Sequence, residues 1–149
     1  MGSSELIQTI KAIFEDQLLA VLSTRERDQP YSNLVCFAAT DDLRCLIFAT
    51  ARATRKYANI TADCRVAMLV DNRANKVADI DKATAVTVLG TAREVGGDER
   101  EELLAHYIDK HPHLKPFASS PTTALFKVEV GKYVVVNSFQ HVQELSMRP

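Results

Sequence analysis

The sequence predicts a mainly β fold of the α+β class, a small antiparallel barrel with helices at its margins. Three apolar stretches near the N-terminus are joined by short polar turns, which favours an antiparallel meander over βαβ units. About six strands are predicted, interrupted by only two or three helices. At 149 residues, the chain is long enough to bury about 70% of its unfolded surface in one core. We therefore treat residues 1–149 as a single domain.

An amphipathic helix is predicted over residues 4–17. Its apolar side chains recur at spacings of three and four, which places them on one face: Leu6, Ile7, Ile10, Ile13 and Phe14. Such a helix would cover a sheet or the end of a barrel.

Apolar runs bounded by turn residues predict the strands. They cover residues 18–25, 31–40, 43–50, 65–70, 84–95 and 124–136. Gly90 within its strand indicates a bulge or a barrel corner, and Gly131 makes the last segment a hairpin or a bent strand. Three segments carry no strong pattern: residues 75–83, irregular or part of a bent strand; 111–121, a loop; and 137–149, a polar tail in which Phe139, Val142 and Leu145 pack.

Two further helices are predicted, and their terminal charges differ. The helix over residues 99–110 has acids in its first turn and a lysine at its end, as the helix dipole favours. The helix over residues 54–63 begins at a plausible N-cap, Thr54, but carries Arg52, Arg55 and Lys56 at or just before its first turn. Free N–H groups, a cap hydroxyl and adjacent cations together predict an anion site, most simply for a phosphate. The alternative is a solvated basic helix start.

Composition and motifs exclude several classes of function. A formal charge of −1 gives no reason to expect nucleic-acid or membrane binding. No apolar run approaches the length of a membrane span, so we expect a soluble, cytoplasmic protein. No dinucleotide-binding, P-loop, nucleophile-elbow or zinc-protease motif is present. An anion site beside a sheet, without an evident protein nucleophile, suits an enzyme whose cofactor brings the reactivity.

The cysteines and histidines carry no strong signal of their own. Three cysteines without Cys-x-x-Cys spacing are expected to be buried thiols in a reducing compartment: Cys36, Cys45 and Cys64. His106 is expected on the polar face of its helix. His111 and His113 are expected in a surface turn, and a metal site there is the weaker alternative; none is predicted.

One stretch resembles a known motif. Phe48-Ala49-Thr50, three further residues and then Thr54-Arg55-Lys56 resemble the FMN-binding motif of the pyridoxamine 5′-phosphate oxidase-like split-barrel flavoproteins. The resemblance implies a six-stranded antiparallel split β-barrel of Greek-key type, a homodimer, and FMN in a groove between subunits. It also implies that Thr54, Arg55 and Lys56 hold the FMN phosphate. Thr50, with the backbone of Ala49, would lie along the ribityl chain or the ring.

The same resemblance assigns the preceding strand to the flavin ring, with Asn33, Leu34 and Val35 lining the isoalloxazine. The authentic oxidase has an arginine and a lysine where this chain has Leu34 and Ala39, and a glutamine where it has Ala85. Its C-terminal Arg-x-His motif has no counterpart here. The chain therefore resembles a general member of the family, with the flavin site kept and the substrate site changed.

Three hypotheses follow from these observations. The first is an FMN-dependent oxidoreductase of flavin reductase type, acting on an unidentified small substrate or electron donor, with no catalytic side chain identified. The second is a non-catalytic protein that carries flavin or haem for storage, sensing or electron transfer. The third is a structural dimer with an empty groove.

Overall fold

The chain folds around one antiparallel sheet that curls into a barrel. The computed structural model describes residues 2–137 and 141–148. The helices are α1 (Ser3–Asp16), α2 (Arg55–Ala62), α3 (Asp79–Lys82), α4 (Gly97–Lys110) and α5 (Lys115–Ala118). The strands are β1 (Leu19–Glu26), β2 (Gln29–Ala39), β3 (Cys45–Ala51), β4 (Arg65–Asp71), β5 (Ala85–Glu94), β6 (Thr123–Asn137) and β7 (His141–Ser146). None of the described helices is both long and apolar enough to cross a membrane.

The barrel closes through its longest strand. The strand order is β3-β2-β1-β4-β5-β6-β7, and β3 also pairs with β6, so six strands form a closed ring. On one edge β6 pairs with β5; on the other it pairs first with β3 and then with β7. The prediction of a six-stranded antiparallel split barrel with flanking helices is confirmed.

Two helices cover opposite ends of the barrel. The predicted apolar face of α1 is buried, and its Phe14 ring meets Phe37, late in β2, edge-on at 5.4 Å. Ile60 of α2 enters the same core from the other end, where Asn59 Nδ2 donates to Thr24 Oγ1, late in β1, at 3.0 Å. Because β1 and β2 are antiparallel, these contacts place the two helices at opposite ends.

Helix α4 packs on the outside of the barrel against β2, which lies between β1 and β3 in the sheet. Its Tyr107 lies in a second buried cluster with Ile47 and Leu125. The Tyr107 hydroxyl donates to the Cys36 carbonyl at 3.1 Å, and His111 Nε2 donates to the Phe37 carbonyl at 2.7 Å. Side chains of α4 and of the residue that ends it thus satisfy outward carbonyls of β2, as the burial of backbone polar groups demands.

Gly90 confirms the predicted bulge. The register of β5 against β6 shifts between Leu89 and Gly90. A Cβ atom at Gly90 would overlap the Glu129 carbonyl oxygen and lie 3.1 Å from Val128 Cγ1. Only glycine therefore fits at this position of β5 without moving the β6 backbone.

Three weakly patterned segments differ from the sequence predictions. Residues 75–83 contain helix α3 rather than a bent strand, because Asp79 Oδ2 accepts from the backbone N–H groups of Ala74 and Lys76 at 2.9 and 3.0 Å. Residues 111–121 are not simply a loop but contain a 3₁₀ turn, Pro112–Leu114, and α5. The predicted polar tail contains β7, which pairs with β6 from Lys132 to Asn137; the expected packing of Phe139 lies outside the described residues.

Three side-chain predictions were wrong. Val142, expected to pack, is 56% exposed because it lies in the edge strand β7. His111, expected in a surface turn, is 0% exposed, because the Phe37 carbonyl needs its donor. Cys64, expected to be buried, is exposed, since it lies in the short connection between α2 and β4, while Cys36 and Cys45 are partly buried; all three are free thiols.

Candidate functional site

The N-terminus of α2 is shaped by a threonine network. Thr54 is the N-cap, as predicted: its backbone is extended and its Oγ1 accepts from Tyr57 N at 3.3 Å. The same hydroxyl donates to the Ala51 carbonyl at 2.9 Å and lies 2.9 Å from Thr50 Oγ1. This network fixes the direction in which the end of the helix points.

Two backbone donors at this helix end are unsatisfied. Within the described residues, the N–H groups of Arg55 and Lys56 have no acceptor, whereas the next two, from Tyr57 and Ala58, bond to Thr54. The helix dipole adds partial positive charge at the same point. A bound anion would satisfy both the donors and the dipole.

The two cations of the first turn are held weakly. Arg55 Nε lies 3.7 Å from Glu26 Oε2, but the two side chains are 59% and 55% exposed, so water screens this pair and it contributes little. The Arg55 guanidinium also lies 5.2 Å from the centre of the Tyr31 ring. The Lys56 ammonium has no hydrogen bond or ion pair within the described part of the chain. Both side chains can therefore turn toward a ligand at low cost.

Arg52 plays a different part from its neighbours. Its Nη2 donates to Glu94 Oε2 at 2.7 Å and its Nη1 to the Pro121 carbonyl at 2.6 Å. Glu94 also accepts from the Tyr57 hydroxyl at 2.9 Å. Burial alone would raise the pKa of Glu94, but these two donors outweigh burial and lower it. Arg52 thus ties the loop before α2 to β5.

The adjoining residues of β3 are enclosed. Thr50 is 2% exposed, and its hydroxyl faces Thr54. Ala49 is 8% exposed, and its side chain belongs to the cluster covered by α4. The structure brings Thr50 to the start of α2 and turns Ala49 toward the opposite face of the strand.

The three predicted residues of β2 face in alternating directions. Val35 is in the core, whereas Leu34 is 61% exposed. Asn33 is partly buried, and its Oδ1 is fully shielded from water without a hydrogen-bond partner among the described residues. A buried acceptor without a donor is rare. Tyr31 lies two positions before Asn33 on the same face of β2, and its ring is beneath the Arg55 guanidinium. Asn33 is therefore close along β2 to the start of α2.

The outer face of the barrel beside Leu34 is apolar. Val21 pairs with Leu34 on one side and with Leu69 on the other, and residues directly opposite in antiparallel strands share a face. Leu19 and Leu89, on neighbouring strands, are exposed as well. Grouped apolar side chains of this kind mark an interaction surface.

Tyr31 and Glu94 are site residues that sequence reasoning missed. Tyr31 had a usable signal, because it lies on the same face as Asn33 two positions earlier in a predicted strand. Glu94 had none, because its contact with Arg52 joins positions 42 residues apart in the chain.

The closed ring of six antiparallel strands, with one helix at each end, defines a small split-barrel protein. The chain belongs to the pyridoxamine 5′-phosphate oxidase family, whose model, described as "Pyridoxamine 5'-phosphate oxidase", matches residues 6–137. A comparison with curated proteins finds no match.

Solved structures share this fold at low sequence identity. A heme binding protein from Mycobacterium smegmatis superposes with a TM-score of 0.83 and 16% identity, over 98% of this chain and 58% of that one. General Stress Protein 26 from Bacillus anthracis gives 0.72 and 22%, over 96% and 99%. A FAD-binding protein from Mesorhizobium loti gives 0.69 and 16%, over 91% and 92%. This chain thus spans little more than half of the mycobacterial protein.

Proposed function

We propose that this protein binds FMN and that the phosphate rests on the N-terminus of α2, held by Thr54, Arg55 and Lys56. The observation that carries the proposal is the pair of unsatisfied backbone N–H groups beside two cations without a strong partner. An anion with two negative charges would complete both. The fit with the family motif supports the choice of a flavin phosphate.

The remaining contacts of the cofactor are proposed along β2 and β3. The backbone and side chains of Asn33, Leu34 and Val35 would line the isoalloxazine, with the exposed Leu34 side chain on the outer face of β2. Thr50 and the backbone of Ala49 would lie beside the ribityl chain. A bound flavin supplies hydride or electron transfer at its N5, while the chain contributes binding, orientation and exclusion of water.

The activity we propose is that of an oxidoreductase of flavin reductase type on a small substrate other than pyridoxamine phosphate. Three side chains support this exclusion, because Leu34, Ala39 and Ala85 are apolar where the authentic oxidase has arginine, lysine and glutamine. No catalytic acid or base is assigned. The free thiols suit a reducing compartment, so we place the protein in the cytoplasm.

A homodimer with the cofactor at the subunit interface is part of the same proposal. The apolar outer face around Leu34, Val21 and Leu69 includes part of β2, the strand that we assign to the flavin ring, so a second copy seated there would lie beside the ring. Light scattering on the purified protein tests the assembly, and a monomer at all concentrations would contradict it.

The second candidate is a non-catalytic carrier of flavin or haem. The heme binding protein from Mycobacterium smegmatis has a TM-score of 0.83 to this chain, which favours keeping this alternative. The visible spectrum of the purified protein distinguishes the two cofactors, since a Soret band indicates haem. Anaerobic mixing with NADH or NADPH then separates a reductase, whose flavin is bleached, from a carrier.

The phosphate site itself is tested by replacing its cations. Arg55→Ala with Lys56→Ala removes two charge-assisted contacts, so we expect FMN affinity to fall at least about a hundredfold. Riboflavin, which lacks the phosphate, should bind the wild type and this double variant equally. Lys76→Ala with Lys82→Ala, which removes the same charge from an exposed segment, is the matched control. Unchanged FMN affinity in the Arg55/Lys56 variant would reject the site.

A further inference from the structure

A separate cavity lies at the other end of β2, between α1, α4 and the β2–β3 turn. Its volume is about 380 Å³, near the lower limit for small-molecule pockets. Its floor is apolar, formed by the buried side chains of Phe14, Ala38 and Leu43. From Val35, the last residue of β2 assigned to the flavin, to Ala39, in the cavity wall, β2 advances about 13 Å, and none of the residues assigned to the flavin lines the cavity.

Lys110 places a partly buried ammonium group in this cavity. Its Nζ donates to the Phe14 carbonyl at 2.7 Å and lies 3.9 Å from the centre of the Phe37 ring. Burial lowers the pKa of Lys110 to about 8. Across the described residues no carboxylate lies within ion-pair distance of it. A desolvated cation without a counter-ion is costly, and an anionic ligand would neutralise it.

The rim of the cavity limits which anion fits. Its charged side chains are one lysine and three acids: Lys11, Glu15, Asp41 and Asp109. The excess of carboxylates disfavours a ligand with two negative charges. His106 also lines the cavity, but its Nε2 is already bonded to the Ala39 carbonyl at 2.6 Å. One negative charge on a small apolar body matches the partly buried ammonium of Lys110 and the apolar floor.

We propose that this cavity binds a small apolar monocarboxylate, with the carboxylate on Lys110 Nζ and the apolar body on Phe14, Ala38 and Leu43. The site uses none of the residues assigned to the flavin. A purely structural role for Lys110, as a tie between the end of α4 and the end of α1, predicts lower stability on substitution but no ligand. The two roles are therefore separable by experiment.

Three probes test the charge requirement on the full chain: benzoate, its neutral analogue benzamide, and the dianion phthalate. In NMR titrations we expect benzoate to shift the amide signals of α1, the β2–β3 turn and the end of α4. Benzamide and phthalate should each bind at least about tenfold more weakly, because one lacks the charge and the other brings excess charge. Equal binding of benzoate and benzamide, or no benzoate shifts at this end of the barrel, would overturn the proposal.

Lys110→Met keeps the aliphatic stem and removes the ammonium, so benzoate affinity should fall at least about tenfold. Lys115→Met, an exposed lysine outside the cavity, is the matched control and should bind benzoate as the wild type does. If Lys110→Met does not fold, Ala39→Phe fills the cavity and should abolish benzoate binding while Lys110 remains. Benzoate binding unaffected by filling the cavity would overturn the proposal. The Arg55/Lys56 double variant should keep full benzoate affinity. The proposed FMN site and the proposed carboxylate site can therefore each be rejected without affecting the other.

Discussion

Gly90 offers the sharpest test of the barrel geometry. A Cβ atom there would overlap the Glu129 carbonyl oxygen, and the next contact, with Val128 Cγ1, would be 3.1 Å. The obstacle is backbone of β6 in a segment that pairs with both β3 and β5, so it cannot give way as a flexible side chain would. We expect Gly90→Ala to lower the free energy of unfolding by about 3 kcal/mol, the upper part of the range for overpacking.

Two other glycines provide matched controls. A Cβ atom added at Gly96 would have nothing within 4 Å of it, and the φ of −141° at this residue suits any side chain. Gly96→Ala should therefore change the free energy of unfolding by less than about 0.5 kcal/mol, because the lower entropy of the unfolded chain offsets the poorer N-cap that alanine makes for α4. Gly97 has equally open space but a φ of +60°, so Gly97→Ala should cost about 1 kcal/mol through backbone strain alone. The series separates steric contact from backbone conformation.

Urea denaturation, monitored by circular dichroism, measures the free energy of unfolding of the wild type and of the three glycine variants under the same conditions. In thermal melts, the expected loss for Gly90→Ala corresponds to a decrease in Tm of about 6–12 °C for a chain of this length. If the free energy of unfolding of Gly90→Ala is within about 1 kcal/mol of the wild-type value, or falls less than that of Gly97→Ala, the close contact between Gly90 and the β6 backbone is refuted.

Two further predictions concern the clamp of α4 on β2. Tyr107→Phe should lower the free energy of unfolding by about 1–2 kcal/mol, because the Cys36 carbonyl loses its donor; Tyr31→Phe, whose hydroxyl has no bond in the described structure, should change it little, and equal effects would contradict the assignment. Burial lowers the pKa of His111 although its bond to the Phe37 carbonyl opposes this, so its neutral form adds stability that is lost as the pH falls below about 6.5. In urea unfolding measured at a series of pH values, the free energy of unfolding of His111→Gln should fall less than that of the wild type between about pH 6.5 and 5. The same pH dependence in both proteins would contradict the neutral, buried imidazole.

Local pattern was sufficient for much of the barrel. The alternation in β1 and β4 and the spacing in α1 mark faces that are buried whatever the partner. The cap at Thr54 and the bulge at Gly90 were also accessible, because both arise from the backbone requirements of single residues.

The remaining features depend on contacts distant in sequence. Strand β7 is mostly exposed, so it has little apolar pattern and exists because β6 offers an edge. Buried His111 bonds to a carbonyl 74 residues earlier in the chain, and no local sequence pattern predicts this contact. At the candidate site, the charges around Thr54 were evident from the sequence, but the engagement of Arg52 by Glu94 required the folded chain.

The order of the strands in the chain, with β6 after both of its barrel neighbours, has a consequence for biosynthesis. Both neighbours that flank its first half, β3 and β5, are made earlier, and each leaves one edge open until residues 123–137 emerge. Ring closure must then join segments about half the chain apart, a slow event for any nascent polypeptide. Throughout that interval the unfinished sheet presents two free edges to neighbouring chains, and it is then, rather than in the mature state, that this protein is most exposed to aggregation.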